Sequence, residues 1–205
     1  MRYINEIMEP DHAENKQESR SFGKSVWEWA KVIVIALLIS LPIRFFIAEP
    51  FVVNGASMDP AFSTGQFLIV DRLTYRLESP KRGDVIVFEY PDNPSIYYIK
   101  RIIGLPGETL DIKDGSVAIT TVKSSTAAAH TEVLNESYIA PIHASHDTYH
   151  IALGPTEYFV MGDNRAQSSD SRVWGPLDSQ FIIGRPIVRL FPLNTLSILP
   201  GKEDQ

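Results

Sequence analysis

The chain has 205 residues, 44% hydrophobic and 21% charged, which is enough apolar material for a packed core and argues against global disorder. A formal charge of −6 leaves no basic stripe to neutralise phosphates, so nucleic acid is not an expected partner. The lack of cysteine excludes a disulfide framework, a thiol nucleophile and thiolate metal sites.

Residues 1–25 carry Glu6, Glu9, Asp11, Glu14 and Glu18 against Arg2, Lys16, Arg20 and Lys24, a composition that predicts a flexible tail. The next stretch, VWEWAKVIVIALLISLPIRFFIA (26–48), predicts a transmembrane anchor, since a span needs about 20 mostly apolar residues. Glu28, Lys31 and Arg44 lie near its ends, where charges can snorkel, and Trp27 and Trp29 suit the membrane interface. Cleavage after Ala48 would put Phe46 at −3, where a cleavable signal peptide needs a small residue. Arg20, Lys24 and Lys31 precede the apolar run, and only Arg44 follows it before Arg72. The positive-inside bias therefore predicts a single-pass protein of the cell membrane, with a cytoplasmic N-terminus and an extracytoplasmic remainder.

Beyond residue 50 the pattern shifts to short segments rich in Ile, Val, Phe and Tyr: 67–73, 84–90, 95–104, 109–120, 156–163 and 181–191. Gly, Pro and Asp punctuate them, and Lys113-Asp114-Gly115 reads as a hairpin turn. These segments predict a mostly β domain over 49–200, built as a partly closed antiparallel barrel. Residues 121–150, dominated by Ser, Thr, Ala and His, read as a loop insertion. His143, His146, His150 and Asp147 would share a face only if that stretch were helical, and Pro141 favours a loop, so no metal is expected.

Two residues suggest chemistry. Ser57 follows Gly55 and Ala56 and precedes Met58-Asp59-Pro60, so small residues allow close backbone approach and a proline stiffens the turn. A serine nucleophile needs a base, yet no histidine lies between residues 13 and 129. Lys100, in the apolar segment SIYYIKRIIG, is the better candidate. Strand alternation puts it on one face with Tyr98 and Ile102, and predicts that Arg101 points the other way, outward. Burial disfavours the ammonium form, and a pKa lowered to about 8 would cost roughly 3 kcal/mol.

With these residues in view, the chain resembles bacterial type I signal peptidases, the leader peptidases with a Ser–Lys dyad, from about residue 26 to 200. Glu49-Pro50-Phe51 with Gly55-Ala56-Ser57-Met58-Asp59-Pro60 is similar to the family's nucleophile box. Arg82-Gly83-Asp84-Val85-Ile86-Val87-Phe88 looks like the next box, and Tyr98-Ile99-Lys100-Arg101 through Glu108 like the lysine box. Gly162-Asp163-Asn164-Arg165 with Ser168, Asp170, Ser171 and Arg172 matches the last.

The resemblance implies Ser57 as nucleophile, Lys100 as general base and Ser168 as the residue that orients the amine. It implies an Asp170–Arg172 ion pair bracing the loop and Asp163 as a structural carboxylate. Phe51, Val53, Met58, Phe62 and Tyr98 fall on positions near the family's side-chain pockets. Gly55 stands where some members carry a serine that helps bind the oxyanion, so that role would pass to backbone N–H groups, chiefly that of Ser57. Ala61-Phe62 replaces the usual Thr-Leu.

The implied activity is a serine endopeptidase that cleaves signal peptides from exported preproteins after small residues at −1 and −3, without a cofactor. Ser57 lies about ten residues past Ile47, hence at most about 35 Å from the membrane exit. Signal peptides and the lipid bilayer are the expected partners, and a monomer the expected state. Another membrane-tethered Ser–Lys protease of the conjugation-pilus type, or an inactive β binding module, are the alternatives. Ala127-Ala128-Ala129 resembles the same cleavage preference and raises self-processing.

Overall fold

The computed structural model describes residues 15–42, 47–121 and 129–202, with side chains from residue 24 onward. Residues 127 and 128 of the Ala-rich site therefore lie outside the described residues. The chain divides into an N-terminal unit, residues 1–45, and a β unit, residues 46–205.

The N-terminal unit contains helix α1, Asn15–Pro42. Its portion Lys24–Pro42, 19 residues, is long and apolar enough to cross a membrane. Two expected boundaries move. The tail was expected to be unstructured to residue 25, yet the helix already starts at Asn15. No proline interrupts 15–41, and helix growth adds one backbone bond per residue once the apolar segment has nucleated it. At the other end, the anchor expected to reach 48 is helical through Pro42, its residues 43–46 lie outside the described residues, and a strand begins at Ala48.

The β unit is mostly strand, as the segment pattern predicted. Its strands are β1 Ala48–Val52, β2 Phe67–Asp71, β3 Val85–Tyr90, β4 Asn93–Gly104, β5 Thr109–Lys113 and β6 Ser116–Thr121. They continue with β7 His130–Val133, β8 Tyr149–Ala152, β9 Glu157–Met161, β10 Leu177–Asp178, β11 Ile182–Phe191 and β12 Ser197–Ile198. Two sheets result, one ordered β1-β2-β11-β3-β4-β9-β10 with β12 on β11, the other β7-β6-β5-β8. Their ladders are antiparallel. Neither order closes on itself, so the sheets are open where a partly closed barrel was expected. Register shifts along β11, between Ile182 and Gly184, Pro186 and Val188, and Arg189 and Phe191, bend that strand, which pairs with β3 at one end and β2 along the rest.

The region 121–150 was read as a loop, but it supplies both edge strands of the small sheet. Its strands are short and largely exposed, so their sequence lacks a strong apolar alternation. The predicted hairpin turn joins β5 to β6, with Asp114 at φ 50° and Gly115 at φ 79°, the paired left-handed geometry of a type I′ turn. A Cβ on Gly115 would lie 2.0 Å from the Ser145 carbonyl oxygen, so the 144–147 segment docks directly on that turn.

Strands β4 and β9 are covered on both faces. Ile103, Phe159 and Met161 pack with Leu110, Ile112, Val117 and Ile119 of the small sheet. Ile102, Tyr158 and Val160 pack with Ile86, Phe88 and Leu177 on the opposite side. A third cluster, Val53, Met58, Phe62, Leu68 and Val85, fills the space under the β1–β2 connection.

Candidate active site

Ser57 sits in the β1–β2 connection, which is held at its base by Val53 N–H to Gln66 O (2.9 Å) and Gly65 N–H to Val53 O (2.9 Å). The Thr64 hydroxyl closes on the Gly55 peptide, accepting from its N–H at 3.0 Å and donating to its carbonyl at 3.1 Å. Gly55 has φ 106°, a left-handed value that favours glycine, in open space. Asn164 fastens the connection from the other side: its N–H donates to Ser57 O and its side-chain amide to Ala56 O, each at 3.1 Å.

Lys100 lies in the middle of β4, opposite Ile86 of β3, and is 3% exposed. Its Nζ donates to Ser57 Oγ at 2.8 Å and to Ile99 O at 3.1 Å, and stands 5.1 Å from the Tyr98 ring centre. Burial pulls its pKa down from an ordinary 10.5 to about 8, against the opposing pull of the Asp170 and Asp163 charges.

Arg101, expected to point outward, is instead the largest wholly buried side chain, at 1% exposure. It does face away from Lys100, but Gly83, Tyr138, Asp163 and Gly201 enclose it on that side. The cation is compensated: Nε and Nη2 grip the Asp163 carboxylate at 2.8 and 2.6 Å, and Nη1 donates to Gly83 O and Gly201 O. Adjacent residues on one strand thus bury two cations, one ion-paired and one left to a hydroxyl and a carbonyl.

The turn that follows β9 completes the site. Gly162 is packed so closely that a Cβ would lie 2.3 Å from Ser57 O and 2.4 Å from Ser168 Oγ. Its N–H donates to Asp170 Oδ2 at 3.0 Å. Asp170 caps the short helix α2, Ser171–Trp174, and receives Arg172 through Nε and Nη2, each at 2.8 Å. Burial raises the Asp170 pKa, but the Arg172 charge and hydrogen bonds and the Gly162 N–H outweigh it and hold the carboxyl below its usual range. Arg172, 8% exposed, also bonds Asp147, Ser145 Oγ (3.1 Å) and Arg165 O (2.8 Å), which makes it a hub rather than a surface partner.

Ser168 was expected to hold the lysine amine. Its hydroxyl is buried near the Asp170 carboxylate, but among the described residues it has no partner at hydrogen-bond geometry, and the Lys100 amine donates to Ser57 and Ile99.

A cleft of about 280 Å³ opens at Ser57 and Lys100. Phe51, Val53 and Tyr98 line it, joined by Leu68, Val87, Ile99 and Gln167, which the sequence did not single out. Met58 and Phe62, expected near the pockets, lie instead in the core beneath, at 1% and 0% exposure. Phe62 is held there by Gly201, where a Cβ would touch its ring at 2.6 Å, and by Arg189 stacked 5.0 Å from its centre. A larger cavity, about 390 Å³, is lined by Lys81, Arg82, Asp84, Arg185 and Lys202, with no serine or threonine among its described lining residues. Among the described residues the histidines do not assemble: His146 pairs with Asp114 and His150 with Asp111, both exposed, and β8 begins at Tyr149 in place of a helix.

A cleft-facing serine against a buried lysine, on an open antiparallel β scaffold, defines a candidate hydrolase site without histidine. The family model "Signal peptidase, peptidase S26" matches residues 26–191. Signal peptidase I of Bacillus licheniformis is 35% identical over 182 residues, covering 88% of this chain and 97% of its own. Signal peptidase I of Leptolyngbya laminosa is 37% identical, covering 84% and 83%, and Signal peptidase I T of Bacillus subtilis 32%, covering 93% and 98%. The solved structure of a signal peptidase I from Enterococcus faecalis is 27% identical with a TM-score of 0.42, covering 53% of this chain and 97% of that one. The chain belongs to the signal peptidase I family of peptidases.

Proposed function

We propose that this protein is a membrane-anchored serine endopeptidase that removes signal peptides from exported preproteins, with Ser57 as nucleophile and Lys100 as general base. The observation that carries the reading is the 2.8 Å contact between Lys100 Nζ and Ser57 Oγ, formed by an amine whose pKa burial has lowered to about 8. When that amine is neutral the hydroxyl donates to its lone pair. Ser57 Oγ then bonds to the scissile carbonyl carbon as its proton passes to Lys100. As the tetrahedral adduct collapses, the carbon–nitrogen bond breaks and the Lys100 ammonium protonates the departing amine. Lys100, neutral again, takes a proton from water, the hydroxide attacks the acyl ester, and the signal peptide leaves with a free carboxylate while Ser57 recovers its proton.

The oxyanion of each adduct needs fixed donors. The Gly55 N–H is committed to Thr64, whereas among the described residues the Ser57 N–H donates to nothing. Ser57 N–H is therefore the main-chain donor we assign to this role. The apolar walls from Val53, Leu68, Val87 and Ile99 suit small side chains at −1 and −3. In this reading α1 is the anchor with its N-terminus in the cytoplasm, residues 49–200 form the extracytoplasmic catalytic domain, and Asp163, Ser168, Asp170 and Arg172 support the pair.

Incubation of the detergent-solubilised chain with a preprotein tests the reading. Ser57→Ala and Lys100→Ala should both fall to background, while wild type releases mature protein with the new N-terminus after the small residue. Full-rate cleavage by Lys100→Ala would sink it.

A further inference from the structure

The segment 134–140 lies within the stretch that reads as a loop insertion, and it reaches the active-site turn with a buried charge. Leu134 N–H donates to Val117 O of β6 at 2.9 Å, and its side chain packs on the core between the small sheet and β9. Two residues on, Glu136 meets Arg165 in a two-pronged pair, one prong at 2.9 Å, with side chains only 10% and 2% exposed. Tyr138 completes the strap: its hydroxyl donates to Glu136 at 2.8 Å and receives Arg165 Nη2 at 3.3 Å. Its ring lies 4.2 Å from the Arg101 guanidinium, whose other partners include Asp163.

Arg165 passes this hold to the site. Its Nε donates to Gly162 O at 3.1 Å. Gly162 is the residue pressed against Ser57 O and Ser168, and the next-but-one, Asn164, donates to Ser57 O. The Gly162 peptides are thus gripped by Asp170 at the N–H and by Arg165 at the carbonyl. Releasing one grip lets the turn drift from the nucleophile's main chain.

We propose that Glu136, supported by Tyr138, is a positioning residue for catalysis, fixing Arg165 and through it the turn on which the Ser57 peptide rests. The inference deepens the peptidase reading and rests on it. A loss of nucleophile alignment near 1 Å can cost on the order of 100-fold in rate. Of the cleft walls only Gln167 and Ser169 lie on this turn, so substrate binding should change less than turnover.

The test compares full-length, detergent-solubilised wild type with Glu136→Gln, Glu136→Asp and Tyr138→Phe on one preprotein. KM and kcat are read separately, and kcat is normalised to the concentration of folded protein. Ile182→Val, packed on the opposite core and away from both the strap and the cleft, supplies a variant of lowered Tm with an intact site. Glu136→Gln should lower kcat per active site by about 10- to 100-fold with KM within about threefold. Glu136→Asp should recover part of the loss, and Ile182→Val should keep wild-type kcat. Tyr138→Phe, which deletes only the hydroxyl, should lower kcat about 2- to 10-fold and carries the test should Glu136→Gln not fold. Unimpaired kcat in Glu136→Gln, or in Tyr138→Phe where it stands alone, beside an active wild type overturns the positioning role alone. So does an equal kcat loss in Ile182→Val. A wild type that does not cleave refutes the peptidase reading and this role with it.

Discussion

Burying an uncompensated lysine costs stability, and that cost is measurable. Replacing Lys100 with methionine keeps an unbranched side chain in the pocket but removes the ionisable amine. The folded protein holds Lys100 at a pKa of about 8 against an ordinary 10.5. Below pH 8 both folded and unfolded chains carry the proton, and the native state bears the full penalty, about 3 kcal/mol. Between pH 8 and 10.5 the unfolded chain binds more protons than the folded one, so wild-type stability rises with pH. Above 10.5 both forms are neutral and the penalty is gone. At pH 9.5 it should have shrunk to about 1.4 kcal/mol.

Lys100→Met should therefore be the more stable protein at pH 7 and lose about 2 kcal/mol of its advantage by pH 9.5. The methionine also leaves Ser57 Oγ without its amine, a loss of about 1 kcal/mol that does not vary with pH and cancels in the difference. Urea unfolding of both proteins in the same detergent, at several pH values across this window, reads the difference directly. The same titration should govern wild-type turnover, which is expected to rise about tenfold per pH unit up to about pH 8 and then level. A stability gap between the variants that stays flat from pH 7 to 9.5 would refute the claim of an uncompensated buried amine.

Asp163→Asn should destabilise by about 3–5 kcal/mol in chemical unfolding, because Arg101 remains buried with its carboxylate removed. An effect under 1 kcal/mol would mean water reaches Arg101. Phe62→Ala should cost about 3–5 kcal/mol without altering which small residues are accepted at −1 and −3, whereas Phe51→Ala should change acceptance at modest stability cost. Sequencing of the products from a panel of preproteins distinguishes the two.

The signals that could be read in the sequence were those with a strong local cause. The apolar run of α1, the β-rich segments after residue 50 and the Asp114-Gly115 turn each follow from periodicity or backbone preference. The four motif boxes marked the family. What escaped depends on which faces are covered. Alternation along β4 correctly separated Lys100 from Arg101, but only the second sheet, packed against Ile103, Phe159 and Met161, makes both faces interior. Arg101 itself is enclosed by Gly83, Tyr138, Asp163 and Gly201, drawn from four separate stretches of chain, so the covering could not be foreseen and Arg101 was read as outward. Met58 and Phe62 are a similar case: apolar residues beside the proposed nucleophile fit a pocket wall and a core equally well until the Gly201 and Arg189 contacts decide. Glu136 carried no signal, since its partner is 29 residues away in sequence.

The two cations of β4 explain why a fold would keep so costly an arrangement. Burial alone is not selective: it disfavours charge on any side chain, and Arg101 escapes only because Asp163 meets it with two parallel bonds and two carbonyls take another nitrogen. If Lys100 had such a carboxylate at contact distance, its amine would stay charged and useless as a base. Asp170 and Asp163 do pull its pKa upward, yet each is committed elsewhere, to Arg172 and Arg101. Each arginine draws a carboxylate away from the amine and supplies a counter-charge nearby. On this argument the ion pairs are what let desolvation dominate at Lys100, and weakening either arginine should move the lysine toward its charged form even where the fold survives.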